Sequence, residues 1–153
     1  NAILNHWTTK IRKQHFKNLR PIPVFVGELP EIARGKYDPK QGVNGIIVIG
    51  AQWLAENPTE VALCNTLKHE HVHAEMFFEG DKNHGFHRGK WYERMMQIDA
   101  SENHIMSSAL VSMIELKKND WSLQEIEMIQ RLGEKLLALE KEEYLMSKRL
   151  FIQ

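Results

Sequence analysis

The sequence predicts an α+β fold, a small β-sheet with an H-E-x-x-H helix followed by a C-terminal helical hairpin. Three observations carry that reading. Pro23-Val24-Phe25-Val26 and Gly45-Ile46-Ile47-Val48-Ile49 are short, β-branched and bounded by turn residues, as strands are. Around His69-Glu70-His71-Val72-His73 the chain carries start and stop signals of a helix. The last third holds two apolar stripes at helical spacing.

Residues 2 to 18 open the chain as an amphipathic helix. Ile3, Leu4, Trp7, Ile11 and Phe16 recur at roughly helical spacing, and Pro21 ends the run. The two strands come next, separated by a Gly-, Pro- and Asp-bearing connection from Gly35 to Gly42. Ala51 to Glu56 make a helical turn or two. Asn57-Pro58-Thr59-Glu60 then supplies an N-cap, a proline at the first helical position and a Glu at the third. Val61, Cys64, Leu67, Val72 and Met76 give this motif helix its apolar positions, and Gly80 stops it. Gly80 to Gly89 reads as a loop, and Trp91 to Ala100 resumes a helix.

Ile105, Ala109, Leu110, Met113 and Ile114 form the next stripe, broken at Asn119-Asp120. Ser122-Leu123-Gln124-Glu125 is a capping box opening a long helix with Ile126, Ile129, Leu132, Leu136, Leu137 and Leu139 on one side. These two helices, over residues 101–153, are expected to pack as a hairpin on a domain spanning residues 1–100. A leftover apolar face on so long a helix would favour oligomerisation.

The chain of 153 residues, 42% of them hydrophobic, is long enough to bury a core, which argues against disorder. Its formal net charge is zero, so the global balance demands neither a nucleic acid nor an anionic membrane. Locally the picture differs. Lys10, Arg12, Lys13, Lys17 and Arg20 precede the first acidic residue, Glu28, and make either a solvated helix face or a docking patch for a polyanion such as DNA. Cys64 is the only cysteine, which excludes an intrachain disulfide and a four-cysteine zinc ribbon. No apolar run approaches a membrane span and no secretory signal is visible, so cytoplasm is the default compartment. A start at Asn1 instead of Met leaves room for upstream residues that would carry an address.

The pentapeptide points to metal chemistry. Residues four apart share a helix face, so His69 and His73 can both direct a ring nitrogen at one ion while Glu70 sits beside it. At the chain's own His and Glu frequencies about 0.04 such matches would arise by chance. A catalytic zinc takes three protein ligands and keeps a fourth position for water, so a third must come from downstream. His84, His87, Glu93, Asp99, Glu102 and His104 are the candidates. Gly80, Gly85 and Gly89 make the intervening loop compliant enough to fold back, which favours its histidines. Asp99 would serve better to orient an imidazole than to ligate.

The stretch from Tyr37-Asp38-Pro39 through Ile46-Ile47-Val48-Ile49 and His69-Glu70-His71-Val72-His73 to His87-Arg88-Gly89-Lys90-Trp91-Tyr92-Glu93-Arg94-Met95 resembles the SprT-like zinc metalloprotease domain. That family has a strand before the helix, the H-E-x-x-H, and a later His followed four residues on by an aromatic that opens the next helix. The resemblance covers about residues 20 to 100. It implies a zincin-like fold, Zn2+ bound by His69, His73 and His87, Glu70 as catalytic general base, and a protein or peptide substrate, in relatives a DNA-associated one. Two departures stand out. Arg88 follows His87 where the family has Gly, and His84-Gly85 offers a competing match, although only His87 keeps the spacing to Trp91. His71 occupies a position that is apolar in the family. Glu93 remains the carboxylate alternative, as in gluzincin-type enzymes.

Zincin folds further imply that the strand at Gly45 to Ile49 is an edge along which an extended peptide adds. A second electrophile for the oxyanion is not identifiable from sequence; His84, Arg88 and Tyr92 are candidates by proximity in the chain alone. Two other classes remain open from sequence: a zinc hydrolase acting on a cell-wall or other non-protein substrate, and a structural component of a larger assembly that retains a zincin site.

Overall fold

The computed structural model describes residues 2–30, 33–82, 84–85, 87, 89–98 and 100, and single positions or short runs between 104 and 145. The chain divides into two compact units, residues 1–85 and 86–153.

The first unit opens with α1 (Ala2–His15), which turns Leu4 and Ile11 inward, two helical turns apart. Ile3, on the expected apolar stripe, is exposed instead. After the helix a turn closed by Leu19 N–H on the Phe16 carbonyl carries Phe16, Leu19 and Ile22 into the core. The sheet has three strands, β1 (Val24–Gly27), β2 (Gly35–Asp38) and β3 (Ile46–Gly50), in the order β1-β3-β2. β1 runs parallel to β3 with Val24 opposite Ile47, and β2 runs antiparallel to it with Tyr37 opposite Ile47. Ile47 and Ile49 are both fully buried, the two-residue period of a strand with one face on the core.

Two sequence expectations need correction here. β3 is the central strand, so it cannot be the edge on which a peptide adds. The edge positions belong to β1 and β2. β2 itself lies inside the stretch read as a connection. Its residues Gly35-Lys36-Tyr37-Asp38 have little strand propensity, and pairing with β3 makes them a strand.

β3 passes directly into α2 (Ala51–Glu56), which buries Trp53. Asn57 ends that helix, its side-chain amide donating to the Trp53 carbonyl at 3.0 Å, and so does not cap the next one. The cap of α3 (Glu60–Phe78) is Thr59, whose hydroxyl accepts from the Ala62 N–H at 3.0 Å. Pro58 therefore precedes the helix instead of opening it. The other end follows expectation. Gly80 takes φ 76°, while Asp81 N–H bonds to the Met76 carbonyl and Gly80 N–H to that of Phe77, a Schellman motif.

α3 is a core helix. Leu63, Leu67, Val72, Ala74 and Met76 are buried, and so are Asn65, Thr66, His69, Glu70, His71 and His73, which lie on every side of it. It packs against β2, β3 and α1.

In the second unit α4 (Lys90–Gln97) buries Trp91 and Met95, with Ile98 just beyond, a stripe at positions i, i+4 and i+7. His104, Ile105 and Ser108 are helical and buried, and Leu123, Glu127 and the described positions from Gln130 to Leu145 are helical. The connection between the two expected C-terminal helices, and most of the residues in their apolar stripes, lie outside the described residues. Among the described residues no helix is long and apolar enough to cross a membrane.

Candidate metal centre

α3 brings the first two histidines together by its own geometry. His69 and His73, one turn apart, hold their ring centroids 4.8 Å from each other with the planes inclined at 57°. His87 completes the set: one ligand atom from each of His69, His73 and His87 lies within 4.8 Å of the others. His69 and His73 are buried and His87 half-buried.

Two of the rings are held by neighbours. The Nδ1–H of His73 donates to the backbone carbonyl of His84 at 2.5 Å, which makes Nε2 the nitrogen that can ligate an ion. The His87 ring meets Trp91 edge-on with centroids 4.8 Å apart. Trp91 is fully buried at the start of α4, so the four-residue spacing noticed in the sequence is an anchoring contact between His87 and a fixed aromatic. Three imidazoles, two of them oriented by the His84 carbonyl and the Trp91 ring, suit a borderline-soft divalent cation such as zinc.

His84 is not in the cluster. Its contribution is a backbone carbonyl, and its ring packs edge-on against Phe77 at 5.1 Å. Glu93 is exposed on α4, outside the cluster, and His104 is buried but equally outside it among the described residues. Asp99, Glu102 and Arg88 lie outside the described residues. Tyr92 is exposed on α4.

Glu70 lies on the same helix, 5% exposed, with Oε1 3.9 Å from His69 Nε2. That distance is too long for a hydrogen bond and sets the carboxylate beside the imidazole cluster without closing on it. Burial pushes its carboxyl up to about 8, while the Tyr37 backbone N–H, donating to the carboxylate, works the other way. A divalent cation nearby would favour the ionised form in the same sense as that hydrogen bond.

The N–H of Tyr37 reaches Glu70 because β2 runs close over α3, and Gly35 is what permits it. A Cβ at Gly35 would stand 2.9 Å from Thr66 Cγ2 and 3.2 Å from Glu70 Cγ. Sequence reasoning missed this contact, since the only available signal was a glycine in what read as a turn.

His71 is a core residue in spite of its chemistry. It is fully buried, donates Nδ1–H to the Leu67 carbonyl at 2.6 Å, and lies 5.3 Å from the Phe16 ring. Burial lowers its pKa to about 4, so it is neutral at physiological pH and replaces an apolar side chain. Cys64 is half-buried, its thiol pushed up by burial, and takes no part in the centre.

No family model matches the chain, and no curated protein or solved structure does either. The geometry therefore stands by itself as a cluster of His69, His73 and His87 capable of holding a metal ion.

Proposed function

We propose that the protein is a zinc-dependent metallopeptidase of the SprT-like kind. The observation that carries the reading is the convergence of His69, His73 and His87 with the buried carboxylate of Glu70 beside them. Bound zinc would supply an acidified water and a Lewis acid for the scissile carbonyl. Glu70 takes the proton of the attacking water and returns it to the departing amine, and the Tyr37 N–H holds its carboxylate in place meanwhile. His73 keeps its ligating nitrogen unprotonated because its other nitrogen is committed to the His84 carbonyl.

β2 is the edge strand beside Glu70, and an extended peptide adding to it would bring its backbone to the centre with little demand on sequence. Substrates among DNA-associated proteins would follow if the basic residues of α1 engage nucleic acid.

The test is zinc-dependent degradation of a panel of unfolded and folded proteins by the wild type and by Glu70→Gln. The wild type should cleave, and the variant should hold zinc and not cleave. A zinc-loaded wild type that cleaves nothing in the panel, or a Glu70→Gln variant as active as the wild type, overturns the proposal.

A further inference from the structure

α3 runs on past the imidazoles to an aromatic group that the metal centre does not use. His69, His73 and Phe77 follow one another at four-residue intervals. Glu70 and Phe77, seven residues apart, project within about 20° of one direction and about 10 Å apart along the helix axis. The Phe77 ring meets His84 edge-on with centroids 5.1 Å apart, and lies 6.1 Å from the Tyr37 ring and 5.8 Å from that of Phe78. Two of these neighbours belong to the site already described. The His84 carbonyl orients His73, and the Tyr37 N–H reaches the Glu70 carboxylate. The Tyr37 ring is itself fixed, being buried and donating its hydroxyl to the Asn44 carbonyl at 2.9 Å.

Phe77 is thus held by its neighbours, yet 37% of it stays exposed, and Phe78 beside it is exposed as well. Apolar residues exposed singly ask for no explanation. This pair stands on the helix that carries two ligands and the base, and against rings whose backbones touch those same groups. The path of β2 indicates what covers it. Gly35 stands against Thr66 and Glu70, the Tyr37 N–H meets Glu70, and the Tyr37 ring meets Phe77, so β2 advances along α3 in the same sense. A peptide lying on the free edge of β2 passes Glu70 and reaches Phe77 after about 10 Å, roughly three residues of extended chain.

We propose that Phe77, with Tyr37, Phe78 and His84 around it, is a subsite for a large apolar side chain of the substrate, about two or three residues from the bond that is cut. The proposal rests on the peptidase reading and goes beyond it, giving the enzyme a preference that backbone pairing alone does not supply. A Leu or Phe side chain laid on this shelf removes apolar surface from water on both partners, whereas Ala removes little and Asp gives up its hydration.

The test is cleavage of a peptide set by the zinc-loaded chain, with mass spectrometry locating the cut. The peptides differ only in carrying Phe, Leu, Ala or Asp at one of the positions flanking that cut. The wild type should favour Phe and Leu over Ala by roughly tenfold or more in kcat/KM at one such position, with Asp poorest. Phe77→Ala should bring the ratio close to one, Phe77→Leu should retain it, and Phe77→Lys should move the preference to Asp. Zinc content and circular dichroism check that the variants keep the centre and the fold. Cleavage without preference at any position, or a preference that Phe77→Ala leaves unchanged, overturns the subsite and leaves the peptidase reading standing. No cleavage of any peptide overturns both. The subsite falls equally if the wild type sediments as a dimer that Phe77→Lys makes monomeric, because a second copy of the chain would then cover the shelf.

Discussion

α1 and α3 pack on one another, yet they treat polar residues in opposite ways. α1 buries only Leu4 and Ile11, while Lys10, Lys13 and Lys17 stay exposed on the helix and just beyond it. α3 buries Asn65, Thr66, His69, Glu70, His71 and His73 among its apolar residues. A surface cation costs the fold almost nothing, whereas a buried polar group is costly unless it is partnered. Burial alone would favour an apolar helix at α3. Its imidazoles and carboxylate therefore need a reason beyond packing, and a metal ion held by the His69, His73 and His87 cluster would supply one. Thr66, whose hydroxyl donates to the Ala62 carbonyl, and His71, neutral and bonded to the Leu67 carbonyl, are structural members instead.

The largest effect that would sharpen this contrast lies in catalysis. Glu70→Gln keeps the shape and the Tyr37 contact but removes the proton acceptor, and turnover should fall by about 10²–10⁴. Peptide hydrolysis by matched zinc-loaded samples measures it. Next comes zinc affinity. His87→Ala should weaken binding by at least tenfold, and His84→Ala should scarcely change it, because the alanine retains the backbone carbonyl that His73 uses. Chelator competition ranks the two, and equal losses would contradict the assignment of His87 over His84.

Much of this was legible in the sequence. Residues 69 and 73 declared themselves by spacing, and the four residues from His87 to Trp91 marked a ring contact. Gly80 announced the helix end because only its positive φ closes the final turn easily. What the sequence hid depends on backbone or on long-range pairing. The His84 carbonyl leaves no side-chain signature. β2 exists through its partner β3, and the central place of β3 follows from strand order, which no local pattern encodes. The cap was hidden by a competing signal, as Asn57-Pro58 offered a better-looking start than Thr59, and Asn57 instead closes the preceding α2.

A smaller effect concerns pH. In metal-free protein Glu70 is raised to about 8 from an ordinary 4.5, so the folded state binds more protons than the unfolded between those values. Stability then falls as pH rises through that window, by on the order of 5 kcal/mol. His71, lowered to about 4 from 6.5, acts in the opposite sense, and stability grows as pH rises between those values. Thermal unfolding of chelator-treated protein should show an optimum between the two trends, and Glu70→Gln should flatten the alkaline fall. An unchanged alkaline limb in the variant would show that the buried carboxyl is not its source. The smallest effect belongs to α1, where Lys13→Gln with Lys17→Gln should shift stability by about 0.5 kcal/mol or less, as exposed charges do. Chemical denaturation checks it, and a larger loss would make α1 resemble α3 after all.

Metal content is the most direct measurement of all. The chain should carry one tightly bound zinc after purification or reconstitution, and substitution of His69, His73 or His87 should release it. A stoichiometry near zero in both native and zinc-reconstituted protein would contradict the metal centre and with it the reason given for the polar interior of α3.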